Sequence, residues 1–249
     1  MTRHIGENSL VHKMKIGHRR LVAAAALVVF GLAHEQSWAA QPPNLSGVYF
    51  NTHPAKELEI VGGGAPPLTA AGKAALAANA PEVGESKIPP AGQNMEACLP
   101  DGPTRILQQP YPMEIVQKGD TLLLIWEHNH VSEQVYMNEK PDPERDWAYM
   151  GNSVGHWDGS TLVVETSQFN DMTFLDDNGL PHTDTLQVQR RIRLLPEGKA
   201  LEILATVTDP EMYTKPWTVR AVLPRRTDVK IEEFICGIRN WETRYTRAR

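Results

Sequence analysis

Two short stretches carry the side chains best suited to move protons or hold a metal. Glu127-His128-Asn129-His130 closes an apolar run and is followed by Glu133, while Pro181-His182-Thr183-Asp184 opens another run. Residues two apart on a strand share a face, so His128 and His130 offer two imidazoles to zinc, copper or iron, with Glu133 or His182 as a third ligand. His182 and Asp184, about 6.6 Å apart along an extended chain, suit a different chemistry. A carboxylate beside an imidazole sets its tautomer and raises its basicity, which is what a general acid–base requires. A third stretch, Gly151-Asn152-Ser153-Val154-Gly155, matches the G-x-S-x-G pattern of serine hydrolases. That pattern needs a strand, a sharp turn and a helix. Here a hairpin follows, so Ser153 is not read as a nucleophile and its glycines are assigned to strand packing.

These side chains must be positioned by strands. From Tyr111 onward apolar residues recur with period two, punctuated by turn residues: hairpins at Lys118-Gly119-Asp120, Asp158-Gly159 and Pro196–Lys199, then strands in "PWTVRAVLP" and "KIEEFIC". A short opening strand lies in Pro43–Phe50. Eight or nine strands in meander order predict a mainly β chain closing into a lipocalin-like antiparallel barrel, with a β-sandwich as the alternative. The Gly/Pro/Ala-rich segment 62–97 reads as a surface excursion with one short helix from Thr69, whose hydroxyl caps it. Thr121 to Met137 is 17 residues, too long for a strand of about 3–10, so a turn is placed at His128–His130.

Alternation then assigns faces. Leu122, Leu124, Trp126 and His128 point inward, as do Val131, Glu133 and Val135; Leu186, Val188, Arg190 and Ile192 share a parity that extends back to His182 and Asp184. Tyr136 falls on the outward parity. A carboxylate or guanidinium on a core face costs several kcal/mol unless paired or wet. Convergence of His128, Glu133, His182, Asp184 and Arg190 on one interior therefore predicts either a functional cavity or a mutually satisfied cluster.

The ends and the composition set the compartment. Basic residues Arg3 to Arg20 precede the apolar run Leu21–Leu32, which is too short to span a bilayer and is followed by "SWAAQ". This is the pattern of an export signal over residues 1–39, leaving 40–249 as one β-barrel domain in the periplasm or medium, without a stable membrane anchor. Without residues 1–39 the chain has 20 basic and 28 acidic side chains, net −8, which argues against nucleic acid as partner. Cys98 and Cys236 both lie in the exported part; in an oxidising compartment the simplest arrangement is one disulfide.

"SVGHWDGSTLVVETSQFND", "LDDNGLPHTDTLQV" and "TDPEMYTKPWTV" resemble a group of secreted bacterial proteins sharing a G-x-W-[DE]-G-[DS]-T-L-V-V hairpin, a G-x-P-H-[ST] turn and a D-P-x-x-[YF]-T-x-P-W segment. "CLPDGPTRIL", "PYPMEIVQ" and "EFIC" also resemble that group, which covers most of residues 43–240. The resemblance carries no activity. It implies that His182 belongs to a shared pattern, whereas Glu127–His130 departs from it.

The functional expectation is an exported small-molecule enzyme, a cofactor-independent lyase or isomerase acting on an apolar or aromatic substrate in a barrel cavity. In it His182, positioned by Asp184, moves the proton, with Arg190 or His128 stabilising an oxyanion and Glu133, Trp126 and Tyr136 contacting substrate. The alternative is a non-catalytic carrier or sensor of such a ligand, and the third reading is a metal-dependent enzyme using His128 and His130.

Overall fold

All but the last of the strands expected from Tyr111 onward form, and the sheet closes on itself. In this computed structural model the described residues are 42–50, 58–79 and 98–236, all within the unit spanning 39–249. The segment expected to be an export signal, His53 and the second half of the surface excursion lie outside them. The strands are β1 (Gly47–Tyr49), β2 (Glu59–Ile60), β3 (Met113–Lys118), β4 (Thr121–Trp126), β5 (Ser132–Met137), β6 (Asn152–Asp158), β7 (Thr161–Ser167), β8 (Gln187–Leu194), β9 (Ala200–Thr208) and β10 (Trp217–Arg226). Each pairs with the next from β3 to β10, and β1 pairs with β3 on one side and with Arg225 and Arg226 of β10 on the other. Nine strands thus close a lipocalin-like barrel, and β2 adds to β10 at Val219 and Arg220. Closure removes the exposed edges that would template aggregation.

Turn chemistry explains the hairpins. Gly119 and Gly159 adopt positive φ (59° and 60°) in the tight turns between β3 and β4 and between β6 and β7. The second loop is Gly159-Ser160, one residue later than the Asp-Gly reading, because Asp158 still pairs with Thr161. One pairing departs from the expected antiparallel meander: β5 and β6 run parallel through Val135–Ser153, Tyr136–Val154 and Met137–Gly155. Parallel neighbours need a crossover of about a dozen residues or more, and 138–151 supplies it by returning the chain to the other end of the barrel.

The two ends therefore differ. One is closed by tight turns. The other is capped by residues 98–112, 127–131, 168–186 and 209–216 and by α1 (Ala70–Asn79). The Thr69 hydroxyl accepts from Gly72 N (3.0 Å), as expected of the cap. Thr69 N donates to Met212 O (2.9 Å) and Asn79 Nδ2 to Gly179 O (2.8 Å), so the helix is fastened to the capping loops.

Inward positions are apolar and filled. Tyr49, Met113, Leu124, Val135, Leu162, Val164, Ile192, Leu201, Ala205 and Val207 retain no accessible surface. The middle of the barrel is consequently a packed core, each large side chain contributing about 1.5–3 kcal/mol, rather than an open chamber. "KIEEFIC" does not form the expected strand: residues 231–236 carry no ladder. β1 already occupies the edge of β10, so the segment has no strand to pair with and crosses the capped end as a strap.

Candidate functional site at the capped end

The inward polar residues of β5 and β8 meet as the alternation required. Glu133 and Arg190 form a buried bidentate pair, with Nη1 donating to Oε2 (2.8 Å) and Nη2 to Oε1. Ser153 Oγ donates to Glu133 Oε1 (2.5 Å) and bonds Thr166 Oγ1 (2.8 Å), which also accepts from Arg190 Nη2 (3.1 Å). Ser153 thus serves a four-strand polar cluster. The flanking glycines do pack strands: a Cβ on Gly155 would lie 2.6 Å from Val135 Cγ1, and one on Gly151, at φ 68°, would lie 2.7 Å from Ser167 O.

His128 belongs to a second network. It sits in the 3-10 turn His128–His130, where Asn129 and His130 take φ of 54° and 50°. This turn breaks the shared face that a His-x-His chelate needs. Among the described residues no group of three or more His, Cys, Asp or Glu could hold a metal ion. His128 Nδ1 bonds Asp101 Oδ2, and Asp101 Oδ1 accepts from Arg105 Nη1 (2.5 Å). Arg105 Nε in turn donates to Asp177 Oδ1 (2.6 Å). His128 and Asp101 are each 1% exposed. His128 stacks on Tyr111 (centroids 4.5 Å apart, planes 5° apart), and Phe234 of the strap stands perpendicular to both rings. His128 Nε2 is buried without a hydrogen-bond partner among the described atoms. Loop 98–112 is held for this by Thr104 Oγ1, which donates to Leu175 O (2.6 Å), and by the Cys98–Cys236 disulfide expected from the sequence.

His182 is placed differently from the alternation argument. β8 begins at Gln187, and Leu186 N donates to Thr183 O (3.3 Å) in a turn, so the parity does not extend back to 182. Asp184 is exposed and does not partner His182. The imidazole donates Nδ1–H to Thr183 O (3.0 Å), leaving Nε2 to accept from Thr173 Oγ1 (2.8 Å). Burial holds its pKa below the ordinary imidazole range, opposed by the Thr183 bond and by Asp209 and Asp171. The carboxylate that organises this region is the buried Asp209. It accepts from Thr183 N (2.6 Å), Glu211 N and Met212 N (both 3.1 Å). Tyr213 donates its hydroxyl to Pro181 O (2.7 Å). The "PHTD" and "TDPEMYT" motifs thus clasp one another.

Open volume lies in the wall. Where β5 and β6 splay beyond their short parallel pairing, a cleft of ≈350 Å³ is lined by Asn129, His130, Tyr136, Met150 and Asn152. Tyr136 points outward, as expected, with the Arg145 guanidinium 3.5 Å from its ring centroid. Trp126 is instead buried inside the barrel, its Nε1 without a partner among the described residues. A wider hollow of ≈520 Å³ over β7, β8 and β9 presents the outward residues Glu165, Gln187, Gln189 and Thr206 and offers no aromatic wall. Asp101, Arg105, Tyr111 and Asp209 escaped the sequence reading because loops carry no periodicity. The only signal was their presence in motif-like stretches.

No family model matches the chain, and neither does any curated protein sequence. Among solved structures it is similar to the zebrafish ileal bile acid-binding protein complexed with cholic acid, at 15% identity and a TM-score of 0.28, covering 47% of this chain and 72% of that one.

Proposed function

We propose that the protein is an exported binding protein, a carrier or sensor for a small amphipathic molecule with an aromatic or apolar body, held in the cleft between β5 and β6. The cleft itself carries the reading. Its ≈350 Å³ lies within the usual size of small-molecule sites, and Tyr136 and Met150 provide apolar contact beside the amides of Asn129 and Asn152. Acid–base groups are committed elsewhere: Glu133 is neutralised by Arg190, His182 is bonded through both nitrogens, and His130 Nε2 accepts from Phe234 N (2.9 Å). The disulfide supports an oxidising compartment, periplasmic or external.

A second reading, a proton-transferring enzyme, is favoured by one observation: Asp101 orients His128 and leaves its Nε2 unpartnered. The test is titration of the mature protein with the neutral fluorophore N-phenyl-1-naphthylamine. Saturable binding weakened at least tenfold in Tyr136→Ala, and unchanged in Thr206→Val on the opposite wall, is the expected result. Binding that ignores Tyr136→Ala, or no saturable binding at all, overturns the proposal.

A further inference from the structure

The strap that packs on His128 has no secondary structure and is fastened to the cap at Glu232, Phe234 and Cys236. Glu232 N donates to Glu127 Oε2 (2.9 Å), Phe234 N donates to His130 Nε2 (2.9 Å), and Cys236 is bonded to Cys98. The half-buried Phe234 ring lies 4.9 Å from the His128 centroid and 5.3 Å from that of Tyr111. The Phe234 ring thus stands perpendicular to the stacked Tyr111–His128 pair and packs against both, on a segment without secondary structure.

The chemistry beneath is defined. An ionised carboxylate only accepts hydrogen bonds, so the Nδ1 facing Asp101 carries the proton, and with the ring neutral Nε2 is a lone-pair acceptor. A buried acceptor without a partner calls for a donor. The nearby charges of Asp101, Arg105 and Asp177 are already paired in a chain, which disfavours an ionic guest. What fits is a flat, neutral, single-ring molecule bearing one hydroxyl donor.

We propose that Tyr111 and His128 form a second binding site, distinct from the β5–β6 cleft, for a phenol that displaces Phe234 and donates its hydroxyl to His128 Nε2. Phe234 is the resident occupant, and the disulfide sets how readily it leaves.

The experiment titrates phenol and toluene into the mature protein, Phe234→Ala and Cys98→Ser/Cys236→Ser, with the ¹⁵N resonance of His128 Nε2 followed by NMR. Phe234→Ala should bind phenol at least tenfold more tightly than the parent and at least tenfold more tightly than it binds toluene, with a shift of the Nε2 resonance. The double serine variant, which keeps Phe234 but frees the strap, should show a smaller gain of the same kind. If phenol and toluene bind alike, the site is only a cavity and the proposal fails. It fails equally if phenol binds without moving His128 Nε2, or if neither variant gains affinity. Tyr136→Ala should leave phenol binding unchanged, so the fate of this site and that of the cleft are read separately.

Discussion

At Glu133 and Arg190 a charged pair sits where a barrel would ordinarily place two apolar side chains. Both are buried, Ser153 and Thr166 add hydrogen bonds to the pair, and Arg190 Nε has no partner among the described residues. Removing one partner strands the other charge in low dielectric, at a cost of about 3–5 kcal/mol. Glu133→Leu is therefore expected to lower the unfolding free energy by that amount in urea titrations. Glu133→Leu/Arg190→Met should recover most of it, since a well-packed apolar pair is often no less stable than a buried ion pair. His182 makes a different prediction. Its folded pKa lies below the ordinary value because burial disfavours the imidazolium, so in the window between the two values the unfolded chain binds more protons than the folded one. Stability must then be full above the unfolded value of about 6.5 and fall as pH drops from there toward the folded pKa. His182→Gln should flatten the stability profile between pH 7 and pH 5. An unchanged slope would show that other groups set it.

Among the elements, the parallel β5–β6 pair matters most, because its short contact opens the cleft. Gly155 faces Val135 across it, with no room for a methyl group. Gly155→Ala is expected to destabilise by about 1–3 kcal/mol through overpacking and to weaken naphthylamine binding by shifting Tyr136 on the neighbouring strand. A destabilised variant with full affinity would separate the cleft from this pairing. β8 and the strap show where pattern succeeds and fails. Within β8 the alternation places Val188, Arg190 and Ile192 inward as expected, because a ladder on both sides enforces the pleat. Before Gln187 there is no ladder, so His182 and Asp184 obey the local turn instead. In "KIEEFIC" Phe234 packs against His128 without any strand, because β1 already pairs with the end of β10.

For the whole molecule, closure rests on its shortest barrel strand. β1 has three residues, yet it joins β3 to β10 and is further tied by Arg225 Nη2 to Ser46 O. Deleting residues 42–50 would expose the edges of β3 and β10 together. The expected outcome is loss of a cooperative thermal transition and concentration-dependent aggregation by size-exclusion chromatography; a monomeric, cooperatively folding truncation would show that the core suffices without closure. The difference between the two ends is also a property of the whole. Tight turns need only local residues, whereas the capped end gathers α1 and four separate loops, and both proposed sites lie there.

Local rules act through neighbours in sequence, and they settled what neighbours can settle: the strand alternation, the glycine turns, the Thr69 cap, the inward parity of Glu133 and Arg190 and the outward parity of Tyr136. The Cys98–Cys236 pairing was also legible, because the sequence holds only two cysteines. Tertiary structure decided everything that depends on residues meeting across the chain. It alone turned β6 parallel to β5, joined Ser153 and Thr166 to the ion pair, gave His128 the carboxylate of Asp101 and gave Thr183 that of Asp209. The physical reason is that a loop has no repeating geometry to constrain it. Its partners are chosen by which other loops close the same end of the barrel, and the connectivity of the folded strands determines that.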